Sequence, residues 1–150
     1  MADEAGVRAL YFAILDAWNR RDAEGMAGLF TEDGTVVGFD GSQNTGRGEI
    51  ESVQRMIFEN HMTGRYVGIF RDVRFLGEGV ALARMVAGVV PHGQDDIKPE
   101  INSVQSLVAV REDGRWLAAH YHNTPAAYHG EPALADALTA ELREALARGG

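Results

Sequence analysis

The chain has 150 residues, enough for one domain with a real core. Hydrophobic residues make up 45% and charged residues 24%, and the net charge of −8 sets the overall field against nucleic acid and anionic membranes. There is no cysteine, so disulfide and thiolate chemistry are excluded and a reducing cytoplasm is the expected setting. No run of 18 apolar residues predicts a membrane span, and the acidic start Met1-Ala2-Asp3-Glu4 does not read as a secretion signal.

Val7, Leu10, Tyr11, Ile14, Leu15 and Trp18 recur at helical spacing and predict one apolar helix face, with Asp3 as its cap. Asp22 caps a short second helix carrying Met26, Leu29 and Phe30. Gly34 then opens a strand over 35–40, and 41–46 is a loop by composition. A third helix is expected over 48–62, with Ile50, Val53, Ile57 and His61 on one face, ended by Gly64. Two strands follow, 66–76 and 80–90, joined at Gly77-Glu78-Gly79. The polar stretch 91–100 reads as a mobile loop of the kind that covers a site mouth. Strands over 101–112 and 115–123 flank Asp113-Gly114, the strongest short hairpin signal in the chain. Leu134, Leu138, Leu142 and Leu146 mark a final helix over 132–148. The order is helix, helix, strand, helix, four strands, helix, which implies an α+β fold with a largely antiparallel sheet.

If Asp113-Gly114 is a two-residue turn, Glu112 pairs with Arg115 and register follows outward. One face of the hairpin then carries Val104, Ser106, Val108 and Val110 with Leu117, Ala119, Tyr121 and Asn123. The other carries Gln105, Leu107, Ala109 and Arg111 with Trp116, Ala118, His120 and His122. The first face is assigned to an internal cavity, because ligand pockets combine apolar walls with a few fixed polar groups. A single bulge would exchange the faces.

The polar residues each admit two readings. Asp40, after Phe39 at the end of the first strand, is either a buried general base or an ordinary turn aspartate. His61 is either an acid or base in the cavity or a hydrogen-bonded rim residue. His120 and His122 share one strand face at a spacing that suits a metal, but two further ligands are missing, so no metal is expected. Arg84 either pairs with Asp72 or Glu100 or holds a ligand carboxylate or enolate. Tyr11 and Trp18 are core residues or ligand contacts, and Asn123 bonds a ligand or clamps the Thr124-Pro125 turn. Asp33 is read as bonding backbone in its turn, and Arg47 as tying down the loop before helix 3. No Ser-His-Asp spacing, phosphate loop or HExxH motif is present.

The leading amphipathic helix, Leu29-Phe30-x-x-Asp33, Gly46-Arg47 and the final Gly-x-Trp strand together resemble the NTF2-like (SnoaL-like) superfamily. Within it, Trp18-Asn19, Asp33, Arg47, Trp116 and Asn123-Thr124-Pro125 are similar to the SgcJ/EcaC branch, found in enediyne and other polyketide clusters. The resemblance implies a cone: a strongly curved, mixed or mostly antiparallel sheet wrapped around three helices over 1–128. Residues 129–150 would form a helical extension of the same domain. The steroid isomerase branch of this superfamily uses a tyrosine, an aspartate and a second acid where this chain has Ile14, Gly38 and about Ser106. Its machinery is therefore not expected here.

Two functions remain on this reading. One is a binding protein or cofactor-free isomerase, cyclase or dehydratase acting on a hydrophobic, polyketide-like small molecule. There Asp40, His61 or His122 would move the proton, His122 ranking last because register points it outward. Tyr11, Trp18, Phe39, Arg84, Ser106, Tyr121 and Asn123 would contact the ligand. The other is a non-catalytic accessory protein that binds a labile intermediate or assists a polyketide synthase or thioesterase. Either would be a cytoplasmic homodimer joined through the outer sheet face, with no cofactor.

Overall fold

The computed structural model describes residues 3–149. Helix α1 spans Glu4–Asn19, and the Asp3 carboxylate accepts from the Gly6 amide at 2.9 Å, which satisfies a donor otherwise orphaned at the helix start. Asp22 caps α2, Ala23–Ala27, in the same way through Gly25. Then come β1 (Phe30–Val37), β2 (Gln43–Thr45), α3 (Arg47–Asn60), β3 (Arg65–Gly77) and β4 (Val80–Val90). After a single 3-10 turn at Pro99–Ile101, β5 (Ser103–Glu112), β6 (Arg115–Pro125) and α4 (Pro132–Ala147) complete the described chain.

The sheet is mixed, in the order β2-β1-β6-β5-β4-β3. Among the described residues only β1 and β6 run parallel, with Val36 opposite Tyr121 and Val37 opposite His122. Helix α1 lies on the inner face, where its Val7, Leu10, Tyr11 and Ile14 join Phe70, Met85, Leu107 and Ala118 in the main core. The approach is closest at Gly68: a Cβ there would sit 2.3 Å from the Tyr11 hydroxyl. Helix α4 covers the opposite face at the β3–β4 end, where Leu138, Leu142 and Ala145 meet Val67, Val86 and Val90. Two anchors hold α1 to the start of β3. The Trp18 indole donates to the Gly64 carbonyl at 3.0 Å, and the Asn19 carboxamide both donates to and accepts from the Tyr66 backbone.

Several boundaries differ from the expectations above. Strand β1 begins at Phe30, before Gly34, and stops at Val37 because Gly38 turns back to bond Ser42. The short β2 lies within the expected loop, since its backbone pairs with β1 although Gln43-Asn44-Thr45 shows no apolar alternation. Helix α3 ends at Asn60, because His61 takes extended backbone angles. The 91–100 segment does not cover the pocket. Its Ile97 is buried against α4, and Asp96 pairs with Arg143 of that helix at 3.0 Å.

The β5–β6 hairpin turns at Asp113-Gly114, both with positive φ as this turn type demands, and Glu112 does pair with Arg115. A bulge then interrupts the ladder. Val108 pairs with His120 and Ala109 with Ala118, so Ala119 is the extra residue. Parity on β6 shifts there, and the inward set becomes Trp116, Ala118, Tyr121 and Asn123, facing Gln105, Leu107 and Ala109 on β5. The face assignment is thus corrected for all of β5 and for the first half of β6.

Candidate functional site

Between α1, α3 and the inner sheet face lies a pocket of about 280 Å3. Its apolar wall comes from Ile14, Leu15 and Trp18 of α1, Met26 of α2, Val53 and Ile57 of α3, and Val36 of β1. Phe39, Asp40, Ser42 and Asn44 form the rim beside β1 and β2. Four further polar side chains reach it: Gln54, Tyr66, Tyr121 and Asn123. Gln54 is buried on α3 and its amide contacts the Met26 sulfur at 3.1 Å.

Behind this wall runs a buried hydrogen-bond chain. The Tyr11 hydroxyl donates to Gln105 Oε1 at 2.5 Å, and Gln105 Nε2 lies 2.7 Å from both the Tyr121 hydroxyl and Asn123 Oδ1. Asn123 Nδ2 donates onward to the Val37 carbonyl. Burial pushes the Tyr121 pKa well above the usual phenol value, and the Tyr11 and Tyr66 phenols add to the shift. Burial also raises Tyr11 and Tyr66, so all three remain neutral hydroxyls at any ordinary pH.

A SnoaL-like domain model matches residues 7–128. This chain belongs to the SnoaL-like family. No curated protein matches the sequence significantly. Among solved structures, a cystatin-like-fold domain of unknown function from Nostoc punctiforme is 28% identical. The match covers 89% of this chain and 83% of that one, with a TM-score of 0.78. An NTF-2 like protein of unknown function from Shewanella oneidensis is 16% identical over 80% and 97% of the two chains, TM-score 0.66. A ketosteroid isomerase-like protein from Erwinia carotovora atroseptica is 19% identical over 81% and 95%, TM-score 0.64. At those last two identities the likeness concerns the fold, which is the curved, open NTF2-like sheet with its helices.

Within this SnoaL-like fold the sequence-predicted residues separate into three groups. Trp18, Phe39, Tyr121 and Asn123 line the pocket, and Asp40 stands on its rim. Tyr11 is fully buried behind it, with its proton committed to Gln105, so it is not free to donate to a ligand. His61, Arg84, Ser106 and His122 lie elsewhere. His61 is exposed at the end of α3, where its carbonyl accepts from Arg21. Arg84 points outward and grips Asp72 with its guanidinium, Nε to Oδ1 at 3.0 Å. The bulge puts Ser106 opposite His122 on the outer face.

Asp40 is exposed rather than buried. The Ser42 hydroxyl and then the Ser42 amide donate to its carboxylate and hold its pKa below the usual value. It is therefore an ionised turn residue, the opposite of a desolvated base. His120 forms a chain on the outer face, 2.6 Å from the Thr35 hydroxyl and 3.3 Å from His122. No group of three or more potential metal ligands occurs among the described residues. Arg47 ties α3 to β1 by donating to the Phe30 carbonyl, while Asp33 accepts from the Thr31 side chain instead of backbone.

Five polar residues of the site, Ser42, Asn44, Gln54, Tyr66 and Gln105, are absent from the sequence prediction. Gln105 was assigned outward through the unrecognised bulge. Tyr66 read as the first residue of a strand. Gln54 was the one signal available, a polar residue among the apolar positions of helix 3.

Proposed function

We propose that this SnoaL-like protein binds a small, largely apolar, oxygenated molecule of polyketide-like character. Trp18, Phe39, Tyr121 and Asn123 would be its contacts. The observation that carries this is the pocket itself: an aliphatic and aromatic wall of Ile14, Leu15, Val53 and Ile57 with Tyr66, Tyr121 and Asn123 set into it. The resemblance to the SgcJ/EcaC branch supports a setting in bacterial natural-product biosynthesis, including enediyne clusters. A cytoplasmic homodimer, possessing residues 129–150 as part of the same domain and serving a polyketide synthase or thioesterase, fits the same reading.

Trp18 supplies the test, because it lines the pocket while Trp116 is held remotely by the Asp3 carboxylate at 2.9 Å. Titration with oxygenated bicyclic to tetracyclic aromatics should quench tryptophan emission saturably. Val53→Trp, which fills the pocket from α3, should abolish the response. Linear, unsaturable quenching that persists in Val53→Trp would refute the binding reading.

A second reading, cofactor-free isomerisation, cyclisation or dehydration, is favoured by one observation: a carboxylate, Asp40, stands on the rim. Its lowered pKa makes it a weak base, which ranks catalysis below binding. Exchange of ligand α-protons for deuterium, lost in Asp40→Asn, would raise catalysis to first place. Identical exchange rates in the variant and the parent would remove Asp40 from that role.

A further inference from the structure

The direction of every hydrogen bond in the buried chain follows from its far end. The Val37 carbonyl can only accept, so the Asn123 group 3.3 Å from it is the amide nitrogen. Asn123 Oδ1 therefore faces Gln105, which must present its own nitrogen at 2.7 Å. Turning Gln105 over would set two carboxamide oxygens against each other. Its Oε1 is thereby left for Tyr11, whose hydroxyl donates. Both protons of the Gln105 amide are then committed, one to Asn123 and one to the Tyr121 oxygen. Tyr121 accepts, and its own proton has no acceptor among the described residues.

That proton belongs to a side chain that is 4% exposed and lines the pocket. A buried donor left unmatched is costly, so a ligand that accepts from it gains more than the same contact made in water. Tyr66 adds a second pocket-lining phenol whose hydroxyl has no partner among the described residues. Its ring is fixed edge-on to Trp18, with centroids 5.3 Å apart.

We infer that Gln105 is a positioning residue that makes Tyr121, seconded by Tyr66, a hydrogen-bond donor into the pocket. The ligand's buried end is then an oxygen acceptor without a proton of its own, as in a ketone, a quinone or an enolate. This rests on the small-molecule reading above and narrows it to a chemical class. A ligand that buries an alcohol or amine donor against this wall would find its best-placed partner already facing it proton-first.

The test uses two compounds of one carbon skeleton, tetralin and 1-tetralone, which differ by a single carbonyl. Binding is measured by tryptophan quenching, and the carbonyl of 13C-labelled tetralone is followed by infrared difference spectroscopy. The parent should shift the bound carbonyl band to lower wavenumber than in hydrocarbon solvent. Tyr121→Phe should lose most of that shift and lower the ratio of tetralone to tetralin affinity about tenfold, the worth of one net hydrogen bond. Gln105→Glu, whose carboxyl takes the Tyr121 proton instead of giving one, should also lose the shift and retain tetralin binding. If tetralin and tetralone both bind and the band is unshifted, or Tyr121→Phe leaves it unchanged, the donor assignment is overturned while the pocket reading stands. If neither compound binds, the pocket reading falls and takes this inference with it.

Discussion

Gln105 lies directly opposite Asn123 in the β5–β6 ladder, and their carboxamides meet at 2.7 Å. Gln105 is 1% exposed and joins three side chains, Tyr11, Tyr121 and Asn123, from one helix and one strand. Replacing it with leucine keeps the approximate volume and removes every partner at once. The Tyr11 proton and Asn123 Oδ1 are then buried and unmatched, at about 1–3 kcal/mol each. Gln105→Leu should therefore lower unfolding free energy by about 2–6 kcal/mol, read as a drop in urea midpoint. Adding Tyr11→Phe removes one orphan, so the double variant should be less destabilised than the sum of the singles. A strictly additive result would show that the chain is not coupled.

Gly68 predicts a different kind of loss. An added Cβ would lie 2.3 Å from the Tyr11 hydroxyl and 2.5 Å from Leu15 Cδ1, both in the main core. Neither neighbour has room to withdraw, since Tyr11 is fully buried and bonded to Gln105. Gly68→Ala should push α1 off β3 and destabilise by about 1–3 kcal/mol, the usual range for overpacking. Thermal unfolding should show it, with ligand quenching of Trp18 weakened because α1 forms one pocket wall. Gly48→Ala in α3, with open space around the Cβ position, is the control that should not destabilise.

The parts of this molecule that were legible in the sequence are those set by local rules. The α1 face was visible because six apolar residues keep helical period, and Asp3 and Asp22 announced both caps. The Asp113-Gly114 turn announced the last hairpin and its first pair. The bulge did not announce itself. Ala118-Ala119 carries no side-chain signal, yet one unpaired alanine exchanges Ser106 for Gln105 in the interior. Tyr121 and Asn123 face inward on either register because they lie beyond the point where the two countings reconverge. Asp40 and His61 depend on where an element stops, which is decided by backbone turns at Gly38–Ser42 and at Asn60 rather than by periodicity.

Arg84 tests the corrected outer face. It is exposed, and its bidentate contact is with Asp72 across the β3–β4 pair. The ion pair holds the Asp72 carboxyl below its ordinary pKa, but solvent screens both partners. Arg84→Ala should leave both stability and ligand affinity essentially unchanged, because solvent screens the pair. A clear loss of affinity in this variant would mean that the ligand reaches the sheet from outside.

His120 gives the outer face a pH dependence with a definite sign. Partial burial first, and the neighbouring His122 second, lower its pKa from the usual 6.5. Protonation is thus easier in the unfolded chain than in the folded one. Above the unfolded value neither state carries the charge, and His120 contributes no penalty. As pH falls below 6.5 the unfolded chain takes up a proton first, so stability declines until the folded pKa is passed and then levels off. Urea midpoints measured from about pH 7.5 to about pH 5 should fall along that course. His120→Gln, which keeps a hydrogen-bonding group near Thr35 without a titrating ring, should flatten the decline in this window. Carboxylates such as Asp72 and Asp96, whose folded pKa values are lowered by Arg84 and Arg143, act at lower pH and leave the contrast intact. An unchanged slope in His120→Gln would assign the dependence to another group.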